Sequence, residues 1–164
     1  MSKYAPAHHY DKRFGWEPTF GYFYSEGAQG VSVAEGEDII FENNGIFRGL
    51  MHNSGEKFVT FEADGIYLVL WSVTADQTNQ FALVLDSTVI TDSSFGMPAG
   101  SSQNNGITVL HTKVGQRVGL RNNTSSTETV TLNNSAGGSM TNVCASMFIL
   151  KIDNNNKPGW FDTR

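Results

Sequence analysis

The run FEADGIYLVLWSV, residues 61–73, is the most apolar stretch of the chain, and it is apolar on both sides. Alternate residues of a strand point to opposite faces. One face here carries Ile66, Leu68, Leu70 and Ser72, and the other Tyr67, Val69, Trp71 and Val73. VCASMFILKI (143–152) repeats the pattern. Val143, Ala145, Met147 and Ile149 share one face, while Cys144, Ser146, Phe148 and Leu150 share the other. A small sandwich has one core, so one face of each strand should meet water. Strands buried on both faces are expected where helices cover a sheet, yet no stretch of this chain holds a helical period beyond about two turns. The cover that remains is another copy of the chain, with the inner face forming the core and the outer face an oligomer interface.

The rest of the chain fits an all-β protein. Short β-type runs alternate with turn clusters, the signature of a sandwich or barrel. TFGYFYS (19–25), KFVTFE (57–62) and NQFALVLDSTVI (79–90, with Phe81, Leu83 and Leu85 in phase) read as strands. GITVLHTKVGQRVGLRNN (106–123) reads as two runs divided at Val114-Gly115-Gln116, and DSSFGMPAGSSQNNG (92–106) as a long polar loop. Residues 1–18 carry no period and read as an arm. Residues 19–152 form one domain, and 153–164 read as a tail that Trp160-Phe161 could dock. Seventeen glycines suit a turn-rich fold, and 164 residues suffice for a core without staples.

Composition narrows function. The net charge of −5 argues against nucleic acid or an anionic membrane as partner. No run approaches the roughly 18 apolar residues of a membrane span. The single cysteine, Cys144, precludes an intrachain disulfide, and MSKYAPAHHYDKRFGWEP lacks the apolar core of a secretory signal. No Gly-x-Ser-x-Gly elbow and no paired histidine motif occurs. The expectation is no enzyme, no cofactor and no metal centre.

Isolated features each have a plain reading. His8, His9 and Asp11 lie together in the arm; His52 and His111 are alone. AEGED (34–38) with Glu42 is the densest acidic group and reads as a solvated loop rather than a Ca²⁺ site. Asn-x-Ser/Thr sequences begin at Asn122, Asn123 and Asn133, as chance allows in so Asn-rich a chain. Tyr22, Tyr24, Trp16 and Trp160 could serve as sugar platforms, or as core and staples. A mid-strand Cys144 reads as a small inert hydrophobe.

GIYLVLW and VGQRVGL (114–120) carry a resemblance to the superfamily of tumour necrosis factor and the globular head of complement C-one-q. The family's Gly-x-Tyr-x-aromatic-x-aromatic signature falls on Gly65, Tyr67, Val69 and Trp71, with Val69 departing from it. VGQRVGL is similar to its Gly-Asp-x-Val strand start, with Gln116 for Asp. FALVLDSTVI and VGLRNN resemble the bacterial branch that caps collagen-like glycoproteins of spore surfaces (the exosporium). The resemblance implies a ten-strand jelly-roll β-sandwich that assembles as a homotrimer. It implies that Leu68, Leu70, Ser72, Cys144, Ser146, Phe148 and Leu150 face partner subunits. Tyr67, Val69, Trp71, Val73, Phe81, Leu83, Leu85, Met147 and Ile149 then fill the core. It further implies a structural role on a spore surface or other extracellular layer, reached without a classical signal, beside other spore-surface proteins. The alternative is a trimer that displays its loops to a receptor or glycan.

Overall fold

The doubly apolar run becomes an inner strand of a sheet, paired along both edges. A computed structural model describes residues 18–27, 31–98, 102–125 and 127–154. Strands are numbered in chain order. β6 (Gly65–Ala75) lies between β10 (Ser102–Thr112) and β13 (Ala145–Asp153); β1 (Phe20–Ser25) and β3 (Asn43–Arg48) extend this sheet beyond β13. The facing sheet runs β4 (Leu50–Met51), β5 (Val59–Phe61), β11 (Arg117–Asn122), β7 (Asn79–Leu85), β8 (Thr88–Val89), and β9 (Phe95–Met97) also pairs with β7. β2 (Ser32–Val33) and β12 (Val130–Thr131) make a small separate ladder. Every pairing is antiparallel. Among the described residues the thirteen strands include four of only two residues, so the ten long runs expected are more finely broken. Helix is confined there to a single 3-10 turn at Thr91–Ser93.

The core is built by period-two alternation. On β6, Tyr67, Val69, Trp71, Val73 and Ala75 point inward and are at most 3% exposed. Met147 and Ile149 of β13 and Phe23 of β1 join them; Val59, Phe61, Phe81, Leu83, Val118 and Leu120 answer from the facing sheet. Leu85 packs at the margin, partly buried. Rings bridge the layers, with Phe61 and Tyr67 centroids 4.6 Å apart and Trp71 6.3 Å from Phe81. The buried Tyr67 phenol donates to the Ala63 carbonyl at 2.8 Å. Burial, with the charge of Asp64, pushes its pKa up to about 12, so it stays a neutral donor.

Two glycines are required by close approach. A Cβ on Gly65 would lie 2.4 Å from Lys151 Cε and 2.7 Å from the Asp153 carbonyl oxygen. Here β13 bulges as it passes β6, and the Lys151 chain covers Gly65, its Nζ 5.8 Å from the Tyr67 ring centre. On β10, Gly106 pairs with Trp71, and a Cβ there would fall 2.3–2.5 Å from indole atoms. The indole rests on bare backbone.

The loop expected over 92–106 is corrected: Phe95–Met97 within it is β9, and its end belongs to β10, which starts at Ser102. Ser-Gln-Asn-Asn-Gly looks like loop because its polarity serves the interior. Asn104 is 2% exposed and its amide donates to Asn79 Oδ1 at 2.9 Å and the Phe95 carbonyl at 2.8 Å. An interior amide satisfied this way costs little and fixes register. Replacing Gly106 by Val should displace the Trp71 indole and cost about 1–3 kcal/mol by overpacking. A urea titration followed by Trp fluorescence measures this as a lower midpoint with unchanged slope.

Candidate functional site

The outer face of the β10-β6-β13-β1-β3 sheet holds the residues that the interior does not use. Strand register groups them into rows. Ile107, Leu70, Phe148 and Tyr22 form one row across four strands. Val109, Leu68, Leu150 and Phe20 form the next. Several are open to solvent: Val109 is 55% exposed, Ile107 54%, Leu70 37% and Phe148 36%. The adjoining row is polar, with Asn105, Ser72, Ser146, Tyr24 and Asn43 in register. Tyr22 and Tyr24 stack along β1 with centroids 5.3 Å apart. Neighbouring strands lie about 4.8 Å apart, so two rows over four strands make a contiguous patch, unlike the singly scattered apolar residues of an ordinary surface.

Leu68, Leu70, Ser72, Ser146, Phe148 and Leu150 all lie on this face. Cys144 does not. It is 1% exposed and belongs to the core. Strand alternation begins only at Ala145; before it, the Cys144 thiol turns inward and donates to the Ser25 carbonyl at 3.2 Å. Sequence reasoning left Ile107 and Val109 on β10, and Phe20 and Tyr22 on β1, without an assignment to this face. The alternation in ITVLHT and FGYFYS carries that signal once each strand's neighbour is known.

The other singled-out residues have structural partners. His52 is buried, with Nδ1 2.6 Å from Asn44 Oδ1, Nε2 3.1 Å from the Glu56 carbonyl and its ring 5.0 Å from that of Phe23. His111 lies in the exposed row of β10, opposite Ile66. In the acidic stretch, Asp38 receives the Arg121 guanidinium bidentately at 2.7 and 2.9 Å. Glu37 pairs with Lys57 at 2.7 Å, and Glu42 accepts from Ser25 Oγ and the Gly27 amide. AEGED is thus solvent-exposed from Ala34 to Glu37, as a solvated loop should be, and only Asp38 is drawn in, by Arg121. Asn122 is fully buried, its amide donating to the Val33 and Glu128 carbonyls, which closes the first Asn-x-Thr site in the folded chain. Among the described residues no three His, Cys, Asp or Glu side chains converge as a metal site, and no helix is long and apolar enough to cross a membrane. His8, His9, Asp11, Trp16 and Trp160 lie outside the described residues.

Two layers with this strand order and an apolar outer sheet invite comparison with solved structures. The globular domain of zebrafish complement 1qA protein superposes with a TM-score of 0.63 at 13% identity, over 85% of this chain and all of that one. Eiger TNF from S. frugiperda gives 0.65 at 13%, over 87% and 97% of the two chains. Murine APRIL gives 0.58 at 14%, over 83% and 100%. The chain has the TNF/C-one-q-like jelly-roll fold. No protein-family model matches the sequence, and no curated protein matches it. At such identities the TNF-like likeness establishes architecture alone.

Burial raises the Cys144 thiol pKa above its ordinary value, against smaller opposing hydrogen bonds from Ser25 and the backbone. A raised value means less thiolate at any pH below it. Cys144 should therefore resist a disulfide reagent at pH 8 in the folded protein and react fully in guanidinium. Rapid native labelling would show that the thiol is open to solvent.

Proposed function

We propose that this chain is a non-enzymatic structural protein whose working unit is a homotrimer, closed by the outer face of the five-stranded sheet. The observation that carries this reading is the pair of in-register apolar rows, Ile107-Leu70-Phe148-Tyr22 and Val109-Leu68-Leu150-Phe20. Each copy presents the same patch, and a closed ring of copies removes all of it from water. An obligate interface of this kind buries on the order of 2,000 Å² or more and resembles a core cut in half. The adjoining Asn105, Ser72, Ser146, Tyr24 and Asn43 row ends the apolar zone on one side, where mismatched packing would leave polar groups unpaired. Three copies follow from the resemblance to the tumour necrosis factor and complement C-one-q superfamily. The TNF-like fold supports that number.

The resemblance of FALVLDSTVI and VGLRNN to bacterial spore-surface proteins supports a place in a spore's outer layer, beside other proteins of that layer. An assembled, sparsely charged trimer suits a lattice component.

Light scattering on the purified protein should give a particle of three 18.0 kDa chains at micromolar concentration. A well-folded monomer would sink the trimer. Leu70→Asp places three like charges in a dry interface and should shift the particle to monomer or abolish folding. The same substitution at exposed Val114, off the sheet, should leave the trimer intact. Gold-labelled antibody on intact spores, with vegetative cells for comparison, tests the location. Labelling confined to vegetative cytoplasm would overturn it.

A further inference from the structure

The opposite sheet, turned away from the apolar rows, carries a groove of about 380 Å³ lined by Ile40, Glu56, Lys57, Phe58, Thr60 and Arg117. Val59 and Phe61 point into the core, so Thr60 between them points out, and Arg117 pairs with Thr60 across the ladder. Phe58 rests against the backbone at Gly119, where a Cβ would come within 2.8 Å of its ring. The Arg117 guanidinium carbon lies 5.2 Å from the Phe58 ring centre. Cation–π contact of this kind holds a guanidinium fork in place while leaving its N–H edge free. Among the described residues no carboxylate forms an ion pair with Arg117.

The lining is mixed in a way that restricts the ligand. Arg117 and the nearby Lys57 favour an anion, although Lys57 is engaged by Glu37 at 2.7 Å. Glu56 opposes a bare anion. Its Oε1 accepts from Asn53 Nδ2 at 3.0 Å, and that hydrogen bond holds its carboxyl below the ordinary range, so it is an acceptor at neutral pH. Ile40, 46% exposed, adds an apolar wall. A phosphate ion would bring up to two negative charges against the Glu56 carboxylate and offer no C–H face to Ile40, and a neutral apolar ligand would leave Arg117 unused. An acidic sugar offers a carboxylate, several hydroxyl donors and a C–H face together.

We propose that this groove binds a hexuronate unit of a glycan. The carboxylate takes the Arg117 fork, ring hydroxyls donate to Glu56 and exchange hydrogen bonds with Thr60, and the C–H face lies on Ile40 and the edge of Phe58. Because the groove is on the sheet that faces away from the apolar rows, it is open in the monomer and in the proposed trimer alike. Three grooves on one particle would add avidity to a weak single site.

Saturation-transfer NMR on the purified full chain tests this with sodium D-glucuronate, methyl glucoside and inorganic phosphate. Transfer to glucuronate is expected, at least about fivefold stronger than to methyl glucoside. Arg117→Gln should weaken glucuronate about tenfold, the effect of losing one charge-assisted bidentate contact. Lys113→Gln, on an exposed turn outside the groove, should change nothing. Should Arg117→Gln melt early, Ile40→Glu, on a solvent-exposed side chain, introduces repulsion and must abolish transfer as well. Absence of glucuronate transfer, equal transfer to methyl glucoside, displacement by an equal concentration of phosphate, or indifference to both variants would each overturn the proposal.

Discussion

The structure depends on β6 being hydrogen-bonded along both edges. β10 pairs with it from Ser102 to Thr112 and β13 from Ala145 onward. A strand held on both sides cannot slip by one residue without sending its whole inward set to the other face. That constraint fixes Tyr67, Val69, Trp71 and Val73 in the core and, by the same pleat, Leu68 and Leu70 outside it. Inner packing and outer apolar rows are therefore two results of one register. A change that stabilised the interior by shifting β6 would destroy the outer rows.

Polar side chains secure the parts that alternation does not. Asp38 and Arg121 clamp the segment leading into Ile39 against β11, where the Ile39 amide also donates to the Leu120 carbonyl. The Arg121 side chain is mostly buried and that of Asp38 still more so, a setting in which removing one partner costs far more than the pair contributes. Asn122 ties the β2-β12 ladder to β11 from below, and Asn104 ties β10 to Asn79 and Phe95. Asp86 and Ser87 turn the β7-β8 hairpin at positive φ without a glycine. Asp86 offsets that strain by accepting from the Arg117 amide at 2.9 Å and Gln116 Nε2 at 3.0 Å.

The legible parts of the fold were those where period and apolarity coincide. β6 and β13 announce themselves because Leu and Phe occupy the second face as well as the first. The start of β10 was hidden because its inward positions are Asn104 and Gly106, chosen for an amide pair and for a ring lying on bare backbone. Neither shows in a hydrophobic pattern. Cys144 was misassigned because alternation was carried one residue past the true start of the strand. The groove was beyond reach of any local pattern, since Phe58 and Arg117 meet through the pairing of β5 with β11. What the outer rows are for was legible only as a question, namely what covers an apolar face in a chain whose sequence holds no helical period beyond about two turns.

β13 sits between β1 and β6, so the first described strand and β6 both wait for the last described one. During synthesis β1 and β6 emerge well before β13. Until then β6 has an open edge, and Trp71 lacks Met147, its neighbour across the ladder. Non-local pairing of this sort closes slowly and exposes strand edges meanwhile. The chain is thus at its most adhesive while β1 and β6 have been made and β13 has not. In a crowded ribosome cluster, productive closure competes with edge pairing between unfinished neighbours.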